Sequence, residues 1–267
     1  QKKMAWSLLG LTFSRPLRLF LILWDNQPFA LDLGGIPCGN ITYGNRFLGL
    51  DKAITINKAE DYIPKLREHK VIADIEERRK EIINQLAAIF PEGDFKVIED
   101  RELVETVVNL VEFPTAVIGE FEEKYLSLPD KIIISTISQT QKYFAVQNNE
   151  GKLSNKFIFI SNGNPAASKI IRKGNEKVVK ARLADALWYW NEDTKHPLEY
   201  WTKYLDKVIF QAKLGTMSDK TKRIMQLVNA VTDELNITEE QKKKAIRCAK
   251  LCKADLVTNM LGEKEFT

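Results

Sequence analysis

The sequence is poor in the residues that catalytic and metal sites most often use. Its 267 residues contain two histidines, His69 and His196, and three cysteines, Cys38, Cys248 and Cys252. The histidines lie far apart, and no H-x-x-x-H or C-x-x-C spacing occurs, which argues against a zinc site. Three cysteines do not make a disulfide framework, and free thiols fit a reducing compartment. We therefore expect no bound metal and a cytoplasmic location.

Motifs that bind nucleotides or activate a nucleophile are also missing. The chain has no G-x-x-x-x-G-K-[ST] loop, no G-x-G-x-x-G turn after a strand and no G-x-S-x-G elbow. The apolar run at 17–24 is much shorter than the roughly 20 residues that cross a bilayer. These absences predict that the chain neither carries out ATP chemistry by itself nor inserts into a membrane.

The composition is that of a protein with a hydrophobic core and a mildly basic surface. Apolar residues make up 44% of the chain and charged residues 28%, and the formal net charge is +4. Such a balance is ordinary for a globular protein. A small positive excess permits a nucleic-acid partner without requiring one.

Periodicity predicts an α+β fold: a mixed sheet with flanking helices to about residue 212, then an all-helical segment. Apolar runs around turn residues indicate a hairpin at 19–33, and a clearer one at 142–161. Further strands are expected at 53–56, 95–98 and 115–121. Helices are expected at 58–68, 73–90, 101–110, 131–141, 165–172, 175–191, 197–207, 218–235 and 239–261. The last begins with Thr238 and Gln241 at capping-box spacing.

The segment 174–193 reads as an amphipathic helix with a basic flank. Its apolar stripe comprises Val178, Val179, Leu183, Ala186, Leu187 and Trp190. Asn175 is the expected N-cap. Lys180 and Arg182 lie beside the stripe, either as a solvated flank or as contacts to a phosphate backbone. On the last helix, Cys248 and Cys252 share a face with apolar residues and are expected to be buried thiols.

Several blocks of the sequence resemble one family. The positions of an N-E-x-V-x-x-A-R-L-x-D-A-x-F-F/W block are filled by Asn175, Glu176, Val178, Ala181, Arg182, Leu183, Asp185, Ala186 and Trp188. Those of a G-T-x-x-D-K-x-x-R block are filled by Gly215, Thr216, Asp219, Lys220 and Arg223. Further matching blocks follow the same order at 13–20, 42–49, 61–82, 110–129, 141–162 and 253–263. With these blocks, the chain resembles the beta subunit of the bacterial heterotetrameric glycyl-tRNA synthetase.

The resemblance implies a division of labour between subunits. In this family the alpha subunit activates glycine with ATP and Mg²⁺, and the beta subunit contributes binding of glycine tRNA within an alpha2beta2 heterotetramer. Residues 1–212 would resemble the editing-type domain of the phenylalanyl-tRNA synthetase beta subunit, truncated at its N-terminus. Residues 213–267 would begin a degenerate HD-type helical domain. This chain would then hold no cofactor, and its beginning and end suggest an internal fragment.

Two other interpretations remain open at this point. One is an HD-type metal-dependent hydrolase, in which Asp255 would take the place of the last metal-binding Asp. No histidine occurs between Gly215 and Thr267, which argues against it. The other is a purely structural module that holds the alpha subunit and touches no RNA.

The basic and aromatic residues of the matching blocks are the candidate RNA contacts. Arg and Lys offer charge to phosphates, and a tyrosine ring can stack on a base. The candidates are Arg15, Arg18, Arg46, Lys142, Tyr143, Lys180, Arg182, Lys213 and Lys220. No residue is proposed as catalytic, since Asn45 and Thr140 stand where the family has histidines and neither titrates near neutral pH.

The first prediction follows from the missing nucleotide motifs. The purified chain alone is expected to show no glycine-dependent exchange between ATP and pyrophosphate, because nothing in its sequence would bind an adenylate. A radiolabelled pyrophosphate assay checks this, with a mock purification as the control. Exchange above that control would contradict the prediction.

Overall fold

The computed structural model describes Met4–Ala5, Thr12–Phe13 and residues 17–31, 34–50 and 52–262. Its contacts divide the chain into two compact units. The first unit is Gln1–Gly119 with Lys142–Asn175, and the second is Glu120–Gln141 with Glu176–Thr267. Residues 212 and 213, where we place a domain boundary from the sequence, both belong to the second unit, and that boundary stays a prediction.

Helices and strands are mixed along the chain, as the α+β expectation requires. The strands of the described residues are β1 (Met4–Ala5), β2 (Thr12–Phe13), β3 (Phe20–Leu21), β4 (Leu23–Trp24), β5 (Gln27–Pro28), β6 (Cys38–Gly39), β7 (Ile41–Tyr43), β8 (Ala53–Thr55), β9 (Phe95–Val97), β10 (Thr115–Glu120), β11 (Phe144–Asn148), β12 (Leu153–Ser161), β13 (Ile209–Gln211) and β14 (Gly215–Thr216). The helices are α1 (Tyr62–Glu68), α2 (Ile75–Ala88), α3 (Arg101–Val108), α4 (Asp130–Ser135), α5 (Ser168–Asp193), α6 (Leu198–Trp201), α7 (Met217–Glu234), α8 (Glu239–Leu251) and α9 (Asn259–Gly262).

The main sheet has four strands in the order β10-β12-β11-β9. Strands β11 and β12 form the antiparallel hairpin that the sequence predicts, and its turn contains Gly151 with φ 79°. The other predicted hairpin is also present, as β4 and β5. Its two turn residues, Asp25 and Asn26, have φ values of 46° and 60°. Positive φ at both positions matches the right-handed twist of the flanking strands.

The core of the first unit lies between this sheet and the helices α2 and α3. Apolar side chains from all three elements are buried together: Ile82, Leu103, Val107, Val108, Val111, Phe144, Val146 and Ile158. A smaller cluster in the same unit consists of Ile54, Ile56 and Leu66. Burying such side chains is the main favourable contribution to folding.

The second unit contains mostly helices. Val179, Leu183 and Ala186 of α5 are fully buried, which confirms the central part of the predicted apolar stripe. Helix α7 packs against α8. Helix α8 begins with the predicted capping box, in which Gln241 N donates to Thr238 Oγ1 at 3.3 Å and Thr238 N donates to Gln241 Oε1 at 3.0 Å.

Two helix boundaries from the sequence are wrong. The helices expected at 165–172 and 175–191 are one continuous helix, α5, so Asn175 lies in its interior and is not an N-cap. A single glycine, Gly174, lowers helix propensity without ending a helix that buries an apolar stripe. The helix expected at 239–261 ends at Leu251, and the short α9 follows a 3₁₀ turn at Ala254–Val257.

Some burial predictions are also wrong. Cys248 and Cys252 are exposed free thiols, because the face of α8 that carries them is not the one packed inside. Val178 is 41% exposed and lies at the edge of the α5 stripe. Strand β14, which pairs with β13, lies in the segment after residue 212 that we predict to be all-helical. Across the described segments, no helix combines the length and apolar character of a membrane span.

Two glycine substitutions test the packing of this fold in opposite directions. A Cβ on Gly119 would lie 2.5 Å from Cζ of the buried Phe157, so Gly119→Ala is expected to lower the free energy of unfolding by about 1–3 kcal/mol. A Cβ on Gly174 would meet nothing within 4 Å in mid-helix. Gly174→Ala is therefore expected to raise that free energy by about 0.5–1 kcal/mol.

Urea unfolding followed by circular dichroism measures both effects, and each variant is the matched control for the other. Equal stability of Gly119→Ala and the parent would contradict the close packing of Gly119 on Phe157.

Candidate nucleic-acid interface

Arg18 and Arg46 line one cleft of about 650 Å³ in the first unit, which we call the arginine cleft. Its other lining residues are Leu19, Thr42, Tyr43, Gly44, Phe47, Asn109, Leu110, Val111, Glu112 and Asn162. Both arginines are exposed, and neither forms an ion pair with another described residue. Tyr43 and Phe47 are 44% and 54% exposed. The cleft thus offers two cations and two aromatic rings to a ligand.

A tight loop after β7 presents Arg46 to this cleft. Asn45 is fully buried, and its Oδ1 accepts from Phe47 N at 3.0 Å, which caps the short turn Arg46–Leu48. Gly44 cannot be replaced without movement, because a Cβ there would lie 2.5 Å from Leu50 O and 2.6 Å from His69 Cβ. The guanidinium of Arg46 lies over the Phe47 ring, 5.0 Å from its centroid. The Gly-Asn-Arg-Phe motif therefore builds the loop that holds Arg46.

Asn45 has a second structural feature. Its Nδ2 is buried and has no hydrogen-bond partner among the described residues. An unmatched buried N–H is unfavourable.

Lys142 and Tyr143 belong to the first unit but do not line the arginine cleft. Lys142 has φ 61°, in the left-handed region. The Tyr143 ring stacks on Phe157 with centroids 5.3 Å apart, and its hydroxyl donates to Asn175 Oδ1. Burial raises the pKa of Tyr143. One ring face and the hydroxyl of Tyr143 are thus engaged inside the fold.

Asn175 and Glu176, the first two residues of the motif on α5, also form hydrogen bonds inside the fold. Asn175 Nδ2 donates to Ile171 O at 2.7 Å, in addition to the bond from Tyr143. In the second unit, Glu176 Oε1 accepts from the backbone N of Glu120 at 3.2 Å. These contacts assign the first two residues of the motif to structure.

Lys180 is exposed but ion-paired. Its Nζ lies 2.5 Å from Glu122 Oε1, and Lys124 Nζ lies 2.6 Å from Glu122 Oε2. Lys124 first, and Lys180 second, lower the pKa of Glu122 to about 2. Arg182, on the same helix, is half-buried and has an interaction partner. Both candidate RNA contacts on α5, Lys180 and Arg182, therefore already have partners.

The second motif forms the start of α7. Thr216 and Asp219 make a capping box, in which Asp219 Oδ2 accepts from Thr216 N at 3.0 Å and Thr216 Oγ1 accepts from Asp219 N at 3.2 Å. The backbone N–H of Thr216 is the largest cause that lowers the pKa of Asp219. Gly215 has φ 83° and leaves no room for a Cβ beside Asp219. Lys220 lies over the Phe210 ring at 3.9 Å, and Lys213 is exposed in the preceding turn.

The structure therefore brings together only part of the candidate list. Arg18 and Arg46 share the arginine cleft, whereas Lys213 lies in the turn before β14 and Lys220 lies on α7. Arg15 lies outside the described residues. Within the described residues, no group of three or more His, Cys, Asp or Glu side chains could hold a metal ion. The expectation of no metal remains a prediction.

Sequence reasoning missed a second set of aromatic and basic residues. In the second unit, His196, Tyr200, Trp201, Tyr204 and Lys207 line a cavity of about 760 Å³. The signal was present as tyrosines four apart at 200 and 204 and lysines four apart at 203 and 207. These positions lie outside the motif blocks that carry the family resemblance, from which the candidate RNA contacts come.

Comparison with known proteins gives a consistent result. The family model described as glycyl-tRNA synthetase beta subunit matches residues 1–267. Glycine–tRNA ligase beta subunits of Dictyoglomus thermophilum and Syntrophomonas wolfei are each 40% identical over 262 residues, and that of Clostridioides difficile is 42% identical. The match covers 98% of this chain and 38% of each relative. The chain thus spans just over a third of the length of these curated relatives.

The ion pairs at Glu122 generate a testable prediction. The pKa of Glu122 is lower in the folded state than its ordinary value of 4.5, so its ionised carboxylate stabilises the fold at pH values above 4.5. This contribution to stability is lost as the pH falls towards about 2. Lys180→Ala is expected to raise the pKa of Glu122 partway, and Lys124→Ala to raise it further. Side-chain carboxyl NMR titration measures both shifts. An unchanged Glu122 titration in Lys180→Ala would show that the pair does not form in solution.

Proposed function

The chain belongs to the glycyl-tRNA synthetase beta-subunit family, and we propose that it binds glycine tRNA and supports subunit assembly. In this proposal the alpha subunit attaches glycine to the tRNA with ATP and Mg²⁺, and the beta region holds the RNA. The complex is a cytoplasmic alpha2beta2 heterotetramer, and this chain is non-catalytic by itself and holds no cofactor. The family consists of ligase subunits. The role of this region in binding tRNA and in assembly is our proposal.

The arginine cleft is the observation that carries the RNA-binding part. Two exposed arginines and two exposed aromatic rings line the same cleft of the first unit. Guanidinium groups bind phosphate oxygens, and aromatic rings accept unstacked bases. Glu112 is the one carboxylate of the lining, so the cleft keeps a positive balance. By contrast, Lys180 is paired with Glu122 and would have to exchange partners to reach a phosphate.

The domain assignment is part of the same proposal. Residues 1–212 would correspond to a domain like the editing domain of the phenylalanyl-tRNA synthetase beta subunit, and residues 213–267 to the start of a degenerate HD-type domain. The absence of histidine after Gly215 supports a degenerate scaffold over an HD-type hydrolase. One tightly held metal equivalent, lost in Asp255→Ala, would instead favour the hydrolase.

A purely structural role is favoured by a separate observation. Four polar residues of the two motifs form hydrogen bonds inside the fold: Asn175, Glu176, Thr216 and Asp219. If the RNA contacts of the family lie elsewhere, this region would serve assembly with the alpha subunit. The binding measurements below distinguish the two roles.

We expect the chain to bind glycine tRNA with an affinity that falls as salt rises, because phosphate contacts release counterions. Arg46→Ala is expected to weaken binding and to reduce the log–log salt slope by about 0.7 to 0.9, the value for one lost phosphate contact. Arg18→Ala is expected to behave similarly. Lys180→Ala is expected to have a smaller effect in the same direction, since Glu122 already neutralises that lysine.

Fluorescence anisotropy with labelled tRNA across a salt series measures these slopes. Arg101→Ala is the matched control, because Arg101 is an exposed arginine of the first unit that does not line the arginine cleft. Identical curves for Arg46→Ala and the parent would exclude the cleft as the RNA surface. A parent chain without salt-dependent binding would favour the structural role.

A further inference from the structure

A cavity in the second unit has an aromatic wall, and we call it the aromatic cavity. It is lined from the end of α5, from α6 and the 3₁₀ turn Thr202–Lys207, and from the segment around α9. Trp201 is buried, with 8% of its surface exposed. The volume of about 760 Å³ lies within the range of small-ligand sites, roughly 300–1,000 Å³.

The rings of this cavity form a partial stack that ends at the surface. The His196 imidazole lies nearly parallel to the Tyr200 ring, with centroids 4.0 Å apart and an interplanar angle of 19°. Tyr200 and Tyr204 meet edge to face, and their hydroxyls are 3.0 Å apart. His196 itself is exposed. Tyr200 covers one face of the imidazole, and the exposed part of His196 is where another ring can stack.

Positive charge surrounds the same stack. Lys203 Nζ lies 3.8 Å from the Tyr200 centroid and 4.9 Å from that of Tyr204, and Lys207 Nζ lies 5.4 Å from that of Tyr204. Both lysines are exposed, and neither forms an ion pair with another described residue. The lining contains one carboxylate, Glu192, which pairs with Lys195. The local charge therefore remains positive.

We infer that the aromatic cavity binds an unpaired nucleotide of single-stranded RNA, with its base stacked on His196 and its flanking phosphates near Lys203 and Lys207. This inference rests on the proposed function, namely that the chain binds tRNA, and it names which part of an RNA this surface takes. Unstacked bases bind aromatic and imidazole rings, whereas the bases of an A-form duplex are stacked on each other and present no face. The combination of an exposed, stacked imidazole and two exposed lysines that form no ion pair among the described residues thus fits a single strand better than a duplex.

The test compares two labelled RNAs with the full 267-residue chain: an unstructured oligonucleotide and a blunt-ended duplex of the same length, which has no loop. His196→Ala is expected to weaken single-strand binding by at least about 5-fold, since removal of one stacking side chain has effects of that size or larger. Its effect on binding of the duplex is expected to be below about 2-fold, because a duplex offers no free base to stack. Lys207→Ala is expected to weaken single-strand binding and to flatten its salt dependence.

Two controls separate stacking from charge and from folding. His196→Phe keeps a flat ring that can stack on a base and is expected to retain single-strand binding. If the ring nitrogens of His196 were what bound the RNA, this variant would lose binding as His196→Ala does. Lys243→Ala removes an exposed lysine of α8 that does not line the cavity and is expected to bind like the parent. Thermal melting of all variants checks that each one folds.

The outcomes for the inference and for the proposed function differ. If the parent binds tRNA but His196→Ala and Lys207→Ala bind the single strand as tightly as Lys243→Ala, the inference is overturned and the proposed function stands. If the parent binds neither the two RNAs nor tRNA at any salt concentration, the proposed function is contradicted, and the inference that rests on it is contradicted with it. Equal loss of duplex and single-strand binding in His196→Ala would also overturn the inference.

Discussion

Short polar side chains that bind otherwise unpaired backbone N–H groups hold the candidate contact residues in place. Asn45 accepts from Phe47 N and so fixes the turn that presents Arg46. Thr216 accepts from Asp219 N at the start of α7, next to Lys220. The first N–H groups of a turn or helix have no internal partner, and each needs an acceptor. An oxygen that meets this need has one lone pair fewer with which to bind a ligand.

This constraint changes how the family motifs are understood. Asn175, Glu176, Thr216 and Asp219 are the most distinctive motif residues, and each has a hydrogen bond inside its own unit. The cations that accompany them differ in availability. Lys180 lies against a carboxylate, whereas Arg46 lies over an aromatic ring and borders a cleft. For exposed groups such pairing contributes little to stability, but it does decide which charge can reach a phosphate without first losing a partner.

The aromatic cavity illustrates why a motif search is an incomplete guide to binding surfaces. His196 and Tyr200 are close in sequence, and their stacking could be suspected from the spacing alone. The cavity also needs Leu256, Val257 and Asn259, which come from a distant part of the second unit. A concave site requires walls from several elements, and a local pattern describes only one of them.

The sequence by itself determined the family, the α+β class, both hairpins and the capping box at Thr238, because turns, caps and strand alternation depend on neighbouring residues. It also indicated the buried stripe of α5. Only the tertiary structure decided that α5 continues through Asn175, that Cys248 and Cys252 are exposed, that Lys180 pairs with Glu122, and that Arg18 and Arg46 share a cleft. These outcomes depend on contacts between residues far apart in the chain. Such contacts override local propensity whenever burial or ion pairing stabilises the alternative more.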